Sequence, residues 1–144
     1  MIPPLVKYNS IDEYRNHFEN KYCSDVIETF DGYQVKFYED MFEHAFFESS
    51  DRNGSKDVFS SKRAERIDWI EHVLKDKNAE LYMGYDNKKK RNDNSRRVAI
   101  INEDNYVVII QIIRDVKAKF TTAYVADSPK TANLIRKNPE WVKK

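Results

Sequence analysis

Apolar positions along the chain switch from a helical period to strand alternation and back, and those switches mark out the elements. After Ser10, the residues Ile11, Tyr14, Phe18 and Tyr22 recur three or four positions apart. Ser10 followed by Glu13 makes a capping box, so a helix is predicted over residues 11–22. Residues 26–30 and 33–38 are β-rich runs separated by Asp31-Gly32. That dipeptide tolerates the positive φ of a two-residue turn, which predicts a hairpin. The segment MFEHAFFE that follows is apolar enough for burial but too short to assign, and residues 49–57 (SSDRNGSKD) have the composition of an exposed loop.

A middle helix is predicted over residues 60–75, with Ile67, Ile70, Val73 and Leu74 inside a sector of roughly 120°. Beyond it the period becomes strand-like. Residues 80–85, 97–102, 105–114 and 118–126 read as four strands joined by short turns, an antiparallel meander. The third is apolar on both faces between Tyr106 and Ile113 except at Gln111, so it is expected to be central and covered twice. Asp127-Ser128-Pro129 opens a last helix that ends by Asn138-Pro139. The fold class is therefore α+β: an N-terminal helix and hairpin, a middle helix, a four-stranded antiparallel sheet and a C-terminal helix.

Projected at about 100° per residue, Arg63 and Arg66 of the middle helix fall on its apolar stripe, while Glu65, Asp68, Glu71 and His72 point away. A guanidinium keeps its proton, so two of them over a core-facing stripe demand an anion or a cleft. Such a cleft belongs to one domain. The chain has 144 residues, 40% hydrophobic and 13% aromatic, enough for a single core. Its lone cysteine, Cys23, permits no intrachain disulfide and no paired-cysteine zinc site. No apolar run has membrane-spanning length and the N-terminus lacks the order of a secretory signal, so the expectation is a cytoplasmic chain with no membrane partner.

The net charge of +1 conceals an asymmetry: residues 1–57 hold 6 Lys and Arg against 12 Asp and Glu, a balance of −6, whereas residues 58–144 hold 19 against 12, a balance of +7. Either the second half meets a polyanion or one half shields the other. The densest basic tract is Lys88, Lys89, Lys90 and Arg91, followed by Arg96 and Arg97. It reads as a solvated hairpin tip or as a phosphate-binding segment.

The candidate chemistry is sparse. His44 sits in Phe42-Glu43-His44-Ala45-Phe46-Phe47, an imidazole expected to be held among aromatics, where burial disfavours protonation. His17, among acidic neighbours, and His72, on the polar side of its helix, are weaker candidates. In the last strand, alternation puts Phe120, Thr122 and Tyr124 on one face, so that a hydroxyl and a phenol point the same way and can donate to a phosphate; ordinary strand propensity explains the same residues. No carboxylates have metal-ligand spacing, and only 3 glycines leave no phosphate loop, so neither a metal nor a nucleotide cofactor is expected.

The order of three motifs is similar to that of a known family. Phe42-Glu43-His44-Ala45-Phe46-Phe47, then Phe59-Ser60-x-x-Arg63-Ala64-Glu65-Arg66-Ile67-x-Trp69-Ile70, then Phe120-Thr121-Thr122-Ala123-Tyr124 resemble the phage-associated branch of the Barnase-EndoU-colicin-RelE (BECR-fold) ribonucleases. Val125 stands where many members have proline. The resemblance covers residues 35–138, the implied catalytic core of a single nuclease domain over 1–144, with residues 1–34 as an N-terminal extension. It implies that His44 matches the acid/base position, Arg63 or Arg66 the phosphate-holding cation, and Thr122 with Tyr124 the last-strand polar pair. The second histidine of some relatives has no counterpart in a convincing place.

The implied reaction is metal-independent cleavage of RNA: the 2′-hydroxyl attacks the adjacent phosphorus and leaves a 2′,3′-cyclic phosphate, in a toxin or a phage or mobile-element nuclease. His44 would be base or acid, with Tyr124 or the substrate in the other role. Residues 88–97 would track the RNA, and Tyr82, Tyr85 or Tyr106 would stack a base. A neutralising protein partner would accompany a toxin. The alternatives are a catalytically silent RNA- or protein-binding module on the same scaffold, and a structural accessory in which Arg63 and Arg66 pair with acids of the first half.

Overall fold

Ser10 caps the first helix through its hydroxyl, which accepts from the Glu13 amide 3.2 Å away, and the helix runs as α1, Ile11–Phe18. The computed structural model describes residues 3–49, 56–86, 90–101, 105–126 and 128–141. Past Phe18 the backbone widens into a π-helical turn, Glu19–Cys23. At 100° per residue, side chains four apart drift around an α-helix. The wider turn offsets that drift and keeps Tyr14, Phe18 and Tyr22 all buried on the inner side.

Strands β1 (Ile27–Glu28) and β2 (Gln34–Lys36) form the expected hairpin, with a different turn. Its loop has three residues, Phe30, Asp31 and Gly32, because Thr29 and Tyr33 still pair through a 2.8 Å backbone bond. Gly32 takes the left-handed position with φ 92°. Helix α2 (Met41–Phe46) turns Phe42, Ala45 and Phe46 inward. Strands β3 (Phe47–Ser49) and β4 (Lys56–Phe59) pair as a small separate sheet, so the ends of the expected 49–57 loop are strand, and its residues 50–55 lie outside the described residues.

The middle helix is broken in two, α3 (Ser61–Ala64) and α4 (Trp69–Leu74). The carbonyls between them are claimed by other parts of the molecule. Glu65 O accepts from the Val6 amide at 2.8 Å, Arg66 O from the Tyr106 hydroxyl at 3.4 Å and Ile67 O from the Tyr22 hydroxyl at 2.5 Å. The backbone crosses the gap by three-residue turns, Ile67 N to Ala64 O at 3.1 Å and Trp69 N to Arg66 O at 2.9 Å, so that Arg66 O serves a turn and the Tyr106 hydroxyl at once.

The four predicted strands are β5 (Glu80–Asp86), β6 (Arg91–Ile101), β7 (Tyr106–Arg114) and β8 (Lys117–Val125), paired antiparallel in sequence order. The sheet is nevertheless larger and mixed. The hairpin joins its edge through a parallel pairing of β2 with β8, giving the order β1-β2-β8-β7-β6-β5. The expected four-stranded antiparallel sheet is thus extended by two short strands, because Val35 of β2 carries the apolar core across to Ala118 of β8. Helix α5 (Pro129–Arg136) starts at the Ser128 cap, with Pro129 in its first turn, as expected.

One face of the sheet carries the main core, where α1, α2 and α4 pack on Ala99, Val108, Ile110 and Phe120. Phe18 touches the rings of Tyr22, Phe37, Phe42, Phe46 and Phe120 at centroid separations of 5.8 to 6.1 Å, so the N-terminal helix and the last strand share one aromatic cluster. The other face is covered by α5, over Val98, Ile100 and Val107. Strand β7 is doubly covered only in its first part: Tyr106, Val107, Val108 and Ile110 are buried, while Ile113 is exposed. No helix among the described residues is long and apolar enough to cross a membrane.

Candidate active site at the edge of strand β8

Strand β2 reaches only as far as Lys119 along β8, so from Phe120 to Val125 the edge away from β7 has no strand pairing among the described residues, and α2 packs against β8. Phe42 and Phe46 anchor α2 through the Phe18 cluster. This geometry corrects the expected surroundings of His44. With Phe42, Ala45 and Phe46 taking the inner side, the imidazole is left on the outer side, exposed to solvent rather than enclosed by aromatic rings.

Both arginines are half-buried, Arg63 in α3 and Arg66 in the turn that follows it, where the break after Ala64 ends the regular projection. Arg63 Nη1 donates to the carbonyl of Ala45 at 3.3 Å, and its guanidinium stands 5.5 Å from the ring centre of Tyr124. Arg66 Nη1 donates to Lys62 O at 2.6 Å, and its guanidinium lies 5.1 Å from the Trp69 ring. The acceptors of these two bonds are backbone carbonyls.

A register shift in β8 settles which side chains share a face. Ile109 pairs with Thr122 and Ile110 with Phe120, so Thr121 is an extra, bulged residue. Thr122 and Tyr124 stay together, on the α5 side, where Tyr124 packs against the second apolar cluster. Phe120 points to the opposite side, into the main core, contrary to simple alternation. The Thr122 hydroxyl oxygen is shielded from solvent and makes no hydrogen bond, an unusual state for a buried polar atom. Burial raises the Tyr124 phenol above its ordinary value, with Arg63 opposing part of the shift. The phenol therefore remains protonated at neutral pH, a donor rather than a base.

The basic tract divides. Lys88 and Lys89 lie outside the described residues, and Lys90 and Arg91 are exposed at the start of β6, Lys90 with φ 53°. Arg96 is half-buried in the strand. Arg97 leaves the set of RNA-binding residues: it is 0% exposed, and its Nη1 lies 2.8 Å from both carboxylate oxygens of Asp31. Of the expected stacking tyrosines, Tyr106 is fully buried against Trp69 at 5.4 Å, and burial pushes its phenol far up. Tyr82 is half-buried and donates to Glu80 at 2.8 Å, and the Tyr85 side chain lies outside the described residues.

One polar chain escaped the sequence reading. The Tyr8 hydroxyl is 2.9 Å from His17 Nδ1, and His17 Nε2 is 2.8 Å from Asp68 Oδ1, which also accepts from Lys21 at 3.0 Å. Burial would raise the Asp68 carboxyl, but its bonds to Lys21 and His17 outweigh burial and hold it below the ordinary range. Asp68 is 51 positions from His17, so no local spacing signals the contact. Among the described residues, no group of three or more His, Cys, Asp or Glu is placed to hold a metal ion. No family model matches the chain, and no curated protein or solved structure matches it either.

Proposed function

We propose that the chain is a metal-independent RNA endonuclease of the BECR type, acting at the edge of β8. The observation that carries the reading is the position of Arg63. Its guanidinium joins the carbonyl of Ala45, the residue after His44, to the ring of Tyr124, two residues beyond Thr122. A cation is thereby held between the imidazole-bearing helix and the hydroxyl-bearing strand.

In this reading His44, open to solvent, removes the 2′-hydroxyl proton of a bound ribose. The oxygen attacks the adjacent phosphorus, and the bond to the 5′-oxygen breaks to give a 2′,3′-cyclic phosphate. Arg63 meets the charge that develops on the phosphorane, and a preorganised cation of this kind lowers a barrier by about 3 kcal/mol. The unbonded Thr122 hydroxyl donates to a phosphate oxygen once substrate binding opens the cover over it. Tyr124, kept protonated by burial, supplies a proton to the leaving oxygen.

Incubation of the purified chain with total RNA in excess EDTA tests the reading. Fragments ending in a 2′,3′-cyclic phosphate are expected, and His44→Ala is expected to give none while unfolding at the same temperature. Cleavage that appears only with added divalent metal would overturn it. The exposure of His44 favours one second reading, RNA binding without cleavage, in which the same incubation yields complexes and no fragments.

A further inference from the structure

Helix α5 is tied to one end of its sheet face, where Arg136 Nε lies 3.4 Å from both Glu80 carboxylate oxygens and Nη2 lies 3.0 Å from Asn105 Oδ1. Among the described residues, no helix covers the other end of that face. It holds a groove of about 400 Å³ lined by Lys36, Tyr38, Ile113, Arg114, Lys117 and Lys119 among others, with no carboxylate among the described residues of its lining. Ile113 is 56% and Tyr38 44% exposed. None of the four cations is ion-paired or hydrogen-bonded through its side chain to a described residue; Lys36 only rides over the Tyr38 ring at 5.2 Å. Unpaired cations beside an exposed aromatic ring, in a chain whose second half carries the excess of positive charge, complement a polyanion that also has flat rings to stack.

We propose that this groove binds the backbone of single-stranded RNA, with Lys36, Lys117 and Lys119 on phosphates and Tyr38 stacked on a base. The register sets the spacing. Lys119 lies opposite Lys36 on the neighbouring strand, about 4.8 Å away along the pairing direction, and Lys117 lies two residues back on the same side, about 6.6 Å away. The groove also leads to the candidate site. Because of the Thr121 bulge, Lys119, Thr122 and Tyr124 share one face of β8, so a strand held on Lys119 is directed along the face that carries Thr122, about 10 Å further on. This continuation rests on the nuclease reading; the binding does not. An acidic protein segment is the competing occupant, and it lacks bases for Tyr38 to stack on.

The experiment titrates the chain with a fluorescent 2′-O-methyl RNA oligomer, which has no free 2′-hydroxyl and so reports binding without cleavage. Affinity is measured over a range of KCl. The triple variant Lys36→Gln/Lys117→Gln/Lys119→Gln is expected to bind at least tenfold more weakly and to lower the slope of log K against log salt by about 2, roughly 0.7 for each phosphate no longer neutralised. Tyr38→Ala is expected to cost about tenfold with the slope unchanged, and Lys75→Gln, on the α4 side, to change neither. All variants must unfold at the wild-type temperature, as exposed side chains allow. Wild-type affinity and slope in the triple variant would overturn the proposal, as would equal binding of a polyglutamate peptide with the same dependence on these side chains. Ordinary RNA run in parallel separates the two readings. Binding without cutting refutes the nuclease alone, and cutting with full binding by the triple variant refutes the groove alone.

Discussion

Arg97 and Asp31, 66 positions apart, meet through a single guanidinium nitrogen that lies 2.8 Å from both carboxylate oxygens. The contact joins the acidic first half to the basic second half inside the molecule. Arg97 Nε and Nη2 make no hydrogen bond, and the rings of Phe30 and Tyr33 stand 5.7 and 5.5 Å from the guanidinium, so Asp31 is the principal compensation for a fully buried charge. Asp31→Ala is expected to destabilise the fold by about 3–5 kcal/mol in urea unfolding, because it strands that charge. Asp31→Leu combined with Arg97→Met is expected to recover most of the loss, since apolar replacement of both partners removes the desolvation penalty as well as the attraction.

Acid should weaken the same link. Burial would raise the Asp31 carboxyl, but the bonds from Arg97 and Thr29 outweigh it and hold the group below 3.8. Asp68 is held below 3.8 in the same way by Lys21 and His17. A carboxyl depressed by folding contributes stability that is complete above its unfolded value and is lost as pH falls through its lowered folded value. Stability is therefore expected to be level in these contributions down to about pH 5 and to fall below about pH 4. The gap between wild type and Asp31→Asn should shrink over that interval in urea titrations run at successive pH values.

Tyr22 serves two backbone groups at once. Its hydroxyl donates to Ile67 O at 2.5 Å and accepts from the Glu71 amide at 3.2 Å, from a ring that is fully buried. Tyr22→Phe leaves both groups without that partner, at an expected cost of about 1–3 kcal/mol in thermal or urea unfolding. Amide exchange at Glu71 should quicken in the variant.

Stability and activity are expected to part at Thr122. Its hydroxyl is shielded and unbonded, so Thr122→Val, nearly the same shape, should leave the melting temperature unchanged or raise it. Under the proposed function the same change should lower RNA cleavage by about tenfold or more, the usual scale for removal of a charge-stabilising donor. A variant that melts early and cuts normally would argue for a purely structural hydroxyl.

Arg63→Lys tests whether the guanidinium acts as a positioned fork. The shorter point charge cannot reproduce a bond to Ala45 O and a place beside Tyr124 together. Cleavage is expected to fall about 10²-fold with the unfolding free energy within about 1 kcal/mol of wild type.

Local chemistry made much of the fold readable. The Ser10 and Ser128 caps, the four-residue spacing of Tyr14, Phe18 and Tyr22, and the β-rich runs of β5 to β8 are signals that each segment carries within itself. What the amino-acid order could not decide alone involved a partner far along the chain. The helix over residues 60–75 breaks where Val6, Tyr22 and Tyr106 bond its carbonyls, and His44 turns outward because the Phe18 cluster claims the other side of α2. Thr122 parts from Phe120 because β8 bulges against β7, and Arg97 disappears inside because Asp31 arrives from the hairpin loop. Periodicity reports which side of an element is apolar. Only the assembled structure decides which distant donor, acceptor or charge that side will meet, since such contacts exist only once the chain has brought the two partners within bonding distance.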